Sequence, residues 1–193
     1  MEKTVVLIKP DGVKRALIGE IISRFEKVGL KIIAMKMVWV DKEHARKHYP
    51  TTRKEWLESI GKKVLATYEE YGRDPGEDLD TMEPIKIGEK MAHWLVEFIT
   101  SGPVVAMLLE GDNAIITVRK LTGHTNGDKA NPGTIRGDYS RSRAYKGFVV
   151  KKAGHNLIHA SGNAEEAKFE EELWFKNGEI YSYKRVDEEM FLA

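Results

Sequence analysis

Three apolar runs rich in β-branched residues divide this chain and constrain its fold more than any other feature. They read TVVLIKP at residues 4–10, LKIIAMKMVWV at 30–40 and GPVVAMLLEG at 102–111. Short runs of this composition are typical of strands that are buried in a sheet. Amphipathic segments lie between them, so strands and helices are expected to alternate along the chain.

Helices are predicted where apolar residues recur at helical spacing between suitable terminal residues. Asp41, Asp112 and Asn163 are candidate N-caps, and Gly123 is a candidate stop. Glu166 follows Asn163 by three positions, which predicts a capping box. The predicted helices span residues 16–28, 42–49, 53–71, 85–99, 112–123 and 164–175.

Turn formers interrupt these elements in three places. Residues 11–15 predict a turn, 71–84 a surface loop and 124–140 a long loop without regular structure. After them, NLIHAS at 156–161 predicts a short fourth strand. Strict alternation would place Leu157 and His159 on one face of that strand.

The order of elements predicts an α+β fold. It fits a ferredoxin-like βαββαβ sandwich with an antiparallel sheet, helices on one face and a helical insertion in the middle. Periodicity alone leaves a doubly wound parallel sheet open as an alternative.

Composition excludes several classes of function. The 31 basic and 30 acidic side chains nearly cancel, and neither sign forms a tail, so nucleic acid is not an expected partner. The chain has no cysteine, which rules out disulfides, thiolate catalysis and cysteine metal sites. No apolar run suggests a signal peptide or a membrane span. A single cytoplasmic domain without a membrane partner is therefore expected.

Phosphate-binding chemistry would have to come from side chains, because the sequence contains neither a P-loop nor a Rossmann glycine motif. Guanidinium and ammonium groups suit a polyphosphate, and we expect such groups to serve a ligand and not the core. The alternative is that each is a solvated or salt-bridged surface residue. The candidates are Lys9, Arg119, Lys120, Lys129 and Arg136, with the hydroxyls of Thr122, Thr125 and Thr134.

Two histidines in HNLIHASGN raise the question of nucleophilic catalysis. His159 ends the predicted strand, whereas His155 precedes it in a loop, and Glu170 could hold one imidazole nitrogen. A histidine nucleophile needs a neutral ring with one nitrogen hydrogen-bonded and the other free. Spacing alone equally allows a hydrogen-bonded core or loop histidine. His44 and His48 lie four apart without a third metal ligand, which favours histidines on a helix surface.

Four stretches in order resemble nucleoside diphosphate kinase: TVVLIKPDGVKR, SGPVVAMLLEG, NPGTIRGDYS and NLIHAS. The resemblance covers residues 3–50, 101–139 and 155–175. It implies a ferredoxin-like fold, ping-pong transfer of the γ-phosphoryl group from a nucleoside triphosphate to a nucleoside diphosphate through a phosphohistidine, and a homo-oligomer, either a tetramer or a hexamer. Mg²⁺ would be carried on the nucleotide phosphates, without a metal site on the protein.

The resemblance also implies residue roles. His159 matches the nucleophile, and His155 falls where the family does not place it. Ser161 and Glu170 match the pair that orients the histidine. The implied nucleotide contacts are Lys9, Arg119, Thr125 and Arg136 on the phosphates, Tyr49 near the nucleophile, Asn156 near the sugar hydroxyls and Trp56 as the candidate base-stacking ring.

Departures from the family pattern lie outside these motifs. We interpret residues 1–193 as one domain with insertions at about 57–90 and 141–152. The second insertion, RSRAYKGFVVKK, predicts a hairpin, a subunit contact or a solvated excursion. Gly127 and Gly162 replace a proline and an acidic residue that are usual in the family. The alternative function is a non-catalytic nucleotide- or RNA-binding module, which would have no need of the nucleophile.

Overall fold

A computed structural model of the chain describes residues 1–140 and 144–188, and its centre is a four-stranded antiparallel sheet. The strand order is β2-β3-β1-β4. The predicted strands and the ferredoxin-like arrangement are therefore confirmed. The strands are β1 (Glu2–Ile8), β2 (Lys31–Val38), β3 (Val104–Gly111) and β4 (Ile158–Ala160).

The six predicted helices are all present, with ends within a few residues of the expected positions. They are α2 (Ile18–Glu26), α3 (Lys42–His48), α4 (Lys54–Glu70), α6 (Pro84–Ile99), α7 (Ala114–Thr122) and α10 (Ala164–Trp174). In the described part of the chain, no helix is long and apolar enough to cross a bilayer.

Short helices occupy the stretches that were predicted as a turn and as loops. They are α1 (Pro10–Lys14), α5 (Pro75–Leu79) and α8 (Ile135–Tyr139), with a 3₁₀ turn at Gly127–Lys129. The prediction was wrong because proline, aspartate and threonine also begin helices. Asp74 accepts a hydrogen bond from the Gly76 amide, and Thr134 accepts one from the Gly137 amide.

Helix caps follow the predictions only in part. Asp41 caps α3 by accepting a hydrogen bond from the His44 amide, in the first turn of the helix, at 2.8 Å. Asp112 does not cap α7: the left-handed Asn113 precedes that helix, and the Glu2 carboxylate accepts from the Ile115 amide at 2.8 Å. The α7 cap is thus provided by Glu2, which is distant in the sequence, and not by the predicted Asp112.

The cap of α10 is an incomplete capping box. Asn163 accepts a hydrogen bond from the Glu166 amide at 2.9 Å, as predicted. The Glu166 carboxylate, however, accepts from the Gly162 amide at 2.7 Å instead of from Asn163. The Asn163 backbone is fully extended, with φ of −157° and ψ of 178°.

Helices cover both faces of the sheet, which corrects the expectation of a single covered face. Val6 and Ile8 of β1 pack into a core with α2 and α7. Val5 and Leu7 pack into a second core with α3, α6 and α10. The physical reason is that β1 and β3 are apolar on both faces, and a strand that is apolar on both faces must be buried on both.

A third core lies beside the sheet and contains the two predicted insertions. Helices α4 and α6 approach so closely that a Cβ on Gly61 would lie 1.8 Å from the Pro84 carbonyl oxygen. A Cβ on Gly88 would lie 2.1 Å from the Leu57 carbonyl oxygen. Glycine at both positions therefore permits the helix pair.

The second insertion forms a helix, α9 (Ala144–Val149), so the predicted hairpin is wrong, and the predicted subunit contact stays a prediction. Phe148 of α9 is buried and stacks on Tyr68 of α4, with ring centroids 5.5 Å apart and planes 19° apart. The two insertions thus share one core. Residues 141–143, where the second insertion begins, lie outside the described residues.

Candidate active site

The short strand β4 carries His159 to the side of the sheet opposite its neighbours. Leu157 has a φ of +69°, and both Leu157 and Ile158 enter the core formed with α2 and α7. His159 instead packs beside His48, on the side of α3 and α10. The expectation that Leu157 and His159 share a face is therefore wrong, because a left-handed residue interrupts the alternation.

Glu170 fixes the orientation of the His159 ring and is itself held by Ser161. Its Nε2 atom lies 2.6 Å from Oε1 of Glu170. The other carboxylate oxygen of Glu170 accepts from the Ser161 hydroxyl at 2.7 Å, and Ser161 Oγ accepts from the Val5 amide at 3.1 Å. A carboxylate acceptor places the proton on Nε2, so Nδ1 keeps its lone pair. In this arrangement Ser161 holds Glu170 and Glu170 holds the imidazole, which is what the predicted role of this pair, orienting the histidine, requires.

The environment of His159 keeps its ring neutral. Burial, followed by the charges of Lys9 and Arg136, lowers the pKa of His159 to about 3. Burial also raises the pKa of Glu170. A neutral imidazole with one free nitrogen is the form in which histidine acts as a nucleophile.

His48 lies directly beside His159 and was missed as a site residue. It is 5% exposed, and its ring centroid is 4.5 Å from that of His159 in an edge-to-face contact. Trp174 donates a hydrogen bond to its Nδ1 atom at 3.3 Å, and burial lowers its pKa. The prediction of a helix-surface histidine is wrong here. Ala45, His48 and Tyr49 share helical spacing, which could have indicated a buried face.

Lys9 extends from the end of β1 into the site. Its ammonium donates to Oδ1 of Asn156 at 2.8 Å, and Nδ2 of Asn156 donates to the Thr125 carbonyl oxygen at 3.1 Å. Burial, followed by the charge of Arg136, lowers the pKa of Lys9 to about 7. The charge of Asp11 raises the pKa of Lys9 but does not offset the effect of burial.

Arg136 at the start of α8 holds three backbone segments together. It donates to the carbonyl oxygens of Asn156, Gly123 and Ile158 at 3.1, 3.0 and 2.6 Å. The expectation that it serves only a ligand is therefore wrong. Guanidinium has five N–H groups, so two stay free for a phosphate. Burial, followed by the charge of Arg119, lowers the pKa of Arg136 to about 10.

Arg119, Thr125 and Tyr49 complete the set that was predicted around the nucleophile. Arg119 and Thr125 are exposed, and the charge of Arg119 contributes to the lowered pKa of His159. Tyr49 is buried, with its ring 4.6 Å from that of His48. Its hydroxyl has no hydrogen-bond partner within the described residues, and burial raises its pKa.

Asp11 supports the site and was not identified from the sequence. Its carboxylate accepts a hydrogen bond from the Leu157 amide at 3.0 Å, which holds the left-handed residue before β4. Its charge raises the pKa values of Lys9 and Arg136 but does not offset burial. Asp11 lies in a Pro-Asp-Gly sequence, a signal that suggested only a turn.

Trp56 lies apart from the phosphate-binding groups. It is partly buried against the core formed with α3, and its ring centroid is 6.5 Å from that of Tyr49. A cavity of about 230 Å³ opens beside Lys9 and Asn156, and Trp56 does not line it. Base stacking by Trp56 therefore stays a prediction.

One group of three potential metal ligands in the described residues includes His159. One nitrogen each of His48 and His159 and an oxygen of Glu170 lie within 4.8 Å of one another. The Glu170 oxygens are already bonded to His159 and Ser161. The hydrogen bonds of Glu170 therefore serve to orient the His159 imidazole. The cations beside this group are suited to an anion.

Comparison with known proteins identifies the family. The sequence profile of the family described as nucleoside diphosphate kinase matches residues 2–60 and 85–180. The unmatched residues between them lie within the first predicted insertion. A nucleoside diphosphate kinase from Pyrobaculum aerophilum is 46% identical over 180 residues, which is 93% of this chain and 98% of the relative.

Solved structures agree with the sequence comparison. The crystal structure of an NDP kinase from Pyrobaculum aerophilum matches with a TM-score of 0.89 and 44% identity, covering 94% of this chain and 99% of that one. A Borrelia burgdorferi nucleoside-diphosphate kinase, a transition state mimic with bound vanadate and ADP, matches with a TM-score of 0.78 and 37% identity, covering 97% and 94%. The chain belongs to the nucleoside diphosphate kinase family.

Proposed function

We propose that His159 is the phosphoryl carrier of this nucleoside diphosphate kinase and that its Nδ1 atom is the nucleophile. One observation carries the proposal: a neutral imidazole, held through Nε2 by Glu170, lies among cations that have too little counter-charge. Burial, followed by the charge of a neighbouring arginine, lowers the pKa values of Lys9 and Arg136, and the charge of Asp11 does not offset it. A polyphosphate would supply further negative charge.

In the first half-reaction, the Nδ1 lone pair of His159 forms a bond to the γ-phosphorus of a nucleoside triphosphate. The bond between that phosphorus and the bridging oxygen breaks, and the nucleoside diphosphate leaves with the electron pair. In the second half-reaction, a terminal phosphate oxygen of another nucleoside diphosphate forms a bond to that phosphorus, and the Nδ1–phosphorus bond breaks with its electron pair returning to Nδ1 of His159. The proton stays on Nε2 of His159, hydrogen-bonded to Glu170, throughout both half-reactions, so no general base is needed.

The surrounding donors would stabilise the charge that develops on the transferring group. Lys9, Arg119 and the two free N–H groups of Arg136 would bind phosphate oxygens. The buried Tyr49 hydroxyl, which lacks a partner in the described residues, would donate near the nucleophile. Thr125 would complete the phosphate contacts, and Asn156 would contact the sugar hydroxyls from its position between Lys9 and Thr125.

Mg²⁺ fits this site as an ion bound to the phosphates of the nucleotide. Asp11, the carboxylate beside Lys9, is bonded to the Leu157 amide, and the side chains that would hold phosphates are donors. Mg²⁺ commonly binds substrate phosphates and waters in this way. When bound, it would neutralise phosphate charge together with Lys9 and the arginines.

The alternative of a non-catalytic nucleotide- or RNA-binding module gains no support from the geometry. Such a module needs cations but does not need a neutral histidine whose second nitrogen is held by a buried carboxylate. Incubation with ATP labelled at the γ-phosphate tests the choice. The kinase should form an acid-labile, alkali-stable phosphoprotein that transfers its label to added ADP. A protein that binds ATP but stays unlabelled would contradict the proposal.

Nucleotide binding should take up a proton, because bound phosphate raises the pKa of Lys9 from its value of about 7. At pH 8 the free Lys9 is mostly neutral, so uptake should approach about one proton per site, and affinity for ADP should fall up to about tenfold per pH unit above 7. Calorimetry in buffers of different ionisation enthalpy measures the uptake. Lys9→Met is the control that should abolish it, and zero uptake by the wild type would disprove the assignment.

We also propose a homo-oligomer, either a tetramer or a hexamer, in the cytoplasm where its substrates are present. Strand β2 forms one edge of the sheet, and Met35, Met37 and Trp39 along it are 55%, 58% and 68% exposed. An exposed apolar strip on an edge strand is a candidate contact between copies. Light scattering would give the mass of the particle as a multiple of the 21.9 kDa chain.

A further inference from the structure

The cavity beside the phosphate-binding groups extends into the third core. At one end it is lined by Lys9, Thr125 and Asn156, and its volume is about 230 Å³. Its other end is lined by apolar side chains of α4, α6 and α9. A nucleotide has the same division, with a charged phosphate end and a flat, weakly polar base. The apolar lining residues are Ile60, Val64, Met91, Leu95 and Phe148.

His155 is an exposed aromatic ring in the lining of this cavity. It stacks on Phe98 of α6, with ring centroids 4.7 Å apart and planes 12° apart. Phe98 is buried and does not line the cavity, so it supports the ring from behind. Within the described residues, the imidazole nitrogens of His155 have no hydrogen-bond partner. A flat ring held in one orientation beside an apolar space is suited to stacking.

Contacts between the end of α4 and the segment at residues 125–129 close the side of the cavity. Tyr71 donates a hydrogen bond to Asp128, and Lys129 forms an ion pair with Glu70. The Lys129 ammonium also lies 5.8 Å from the centre of the Tyr71 ring. These contacts fix α4 relative to the segment that carries Thr125, so both walls of the cavity are positioned by one set of interactions.

We propose that His155 is the base-stacking residue of this enzyme and that the two insertions, together with α6, form the apolar wall of the same cavity. The proposal rests on the proposed function, since it assumes that the phosphates of the nucleotide occupy the site of Lys9 and Arg136. It gives His155 a role that its position outside the family motif did not suggest. It also competes with Trp56, which packs against Tyr49 outside the cavity lining.

The chemistry of the cavity indicates which nucleotides it favours. Stacking on an imidazole depends on ring area more than on the pattern of base hydrogen bonds. Purine nucleotides should therefore bind more tightly than pyrimidine nucleotides, while both are accepted. Lys63 and Thr67 add polar groups at the cavity wall without forming a defined pattern for one base.

Calorimetric titration of the full chain with ADP, CDP and inorganic tripolyphosphate tests the proposal. His155→Ala should weaken ADP binding by on the order of tenfold, as expected for loss of one stacking ring. Tripolyphosphate, which has no base, should bind the variant and the wild type equally. His155→Phe should restore ADP binding, because it keeps a ring on Phe98. His93→Ala is the matched control, since His93 is an exposed histidine of α6 that lies outside the cavity lining.

Three outcomes would overturn the proposal. Unchanged ADP affinity in His155→Ala would do so, as would weakened ADP affinity in Trp56→Ala alone, which would identify Trp56 as the stacking ring. Equal loss of ADP and tripolyphosphate affinity would show that His155 supports the phosphate site instead. Failure of the kinase proposal is separate: ADP binding that depends on His155 without any phosphohistidine would leave this inference intact.

Discussion

His159→Ala should lower kcat by roughly 10⁴-fold or more, because it removes the atom that carries the phosphoryl group. The fold should persist, since the His159 side chain is 21% exposed and packs at the edge of the core. Removing the imidazole also leaves Glu170 without one partner, which should cost far less than the loss of catalysis. The measurement is phosphoryl transfer from ATP to a second nucleoside diphosphate, with the labelled intermediate followed in parallel.

A matched comparison separates the nucleophile from its neighbours. Glu170→Gln should lower kcat less severely, because an amide can still contact Nε2 but no longer favours that tautomer. His155→Ala should still form the phosphoprotein at saturating ATP, since it changes binding of the base and leaves Nδ1 of His159 in place. Phosphopeptide mapping that located the label on a histidine other than His159 would contradict the assignment.

The sequence predicted most of the sheet because strand signals in β1 and β3 are strong on both faces. The same property also implies two covered faces. A strand such as β1, with Val5 and Leu7 apolar as well as Val6 and Ile8, requires a helix layer on each face. Loop assignments failed where turn formers begin short helices, as Pro75 does in α5.

The site was predictable where it depends on motif residues and unpredictable where it depends on distant contacts. Lys9, Asn156 and His159 could be placed together through the family motifs. The burial of His48 against His159, by contrast, is created by the packing of α3 on α10. The left-handed Leu157 needs Asp11, 146 positions earlier, to accept its amide hydrogen bond. Helical spacing could have indicated that His48 is buried but not that it packs on His159, and the bond between Leu157 and Asp11 leaves no local signal.

Lys9→Met and Arg136→Met should change stability in opposite directions although both remove one positive charge. Burial lowers the pKa of Lys9 from 10.5 to about 7, so the folded state penalises its protonated form. The penalty is fully present below pH 7 and is relieved as pH rises from 7 to 10.5. Lys9→Met should therefore raise the free energy of unfolding by about 2–4 kcal/mol at pH 6.5, after the lost hydrogen bond to Asn156 is subtracted.

Arg136→Met should instead lower the free energy of unfolding by about 3 kcal/mol, because the loss of three charged hydrogen bonds to backbone carbonyl groups outweighs relief of the burial that lowers the pKa of Arg136 to about 10. The affected carbonyls belong to Ile158 in β4, to Asn156 two residues before that strand and to Gly123, which follows α7. The loss should therefore also loosen the strand that carries His159. Arg136→Lys keeps a charge but not the three-pronged geometry, so it should recover only part of the stability.

Both variants should nevertheless lose catalysis, each by about 10²-fold or more in kcat/KM, since each removes a preorganised donor to the phosphates. Comparing kcat/KM with the free energy of unfolding separates the loss of ligand binding from the loss of structural support. Urea unfolding is followed at pH 6.5 and again at pH 9, at a fixed protein concentration so that assembly contributes equally. The gain from Lys9→Met should shrink at pH 9, while the loss from Arg136→Met should not. A Lys9→Met variant that is less stable than the wild type at pH 6.5 would show that burial of this ammonium is not costly.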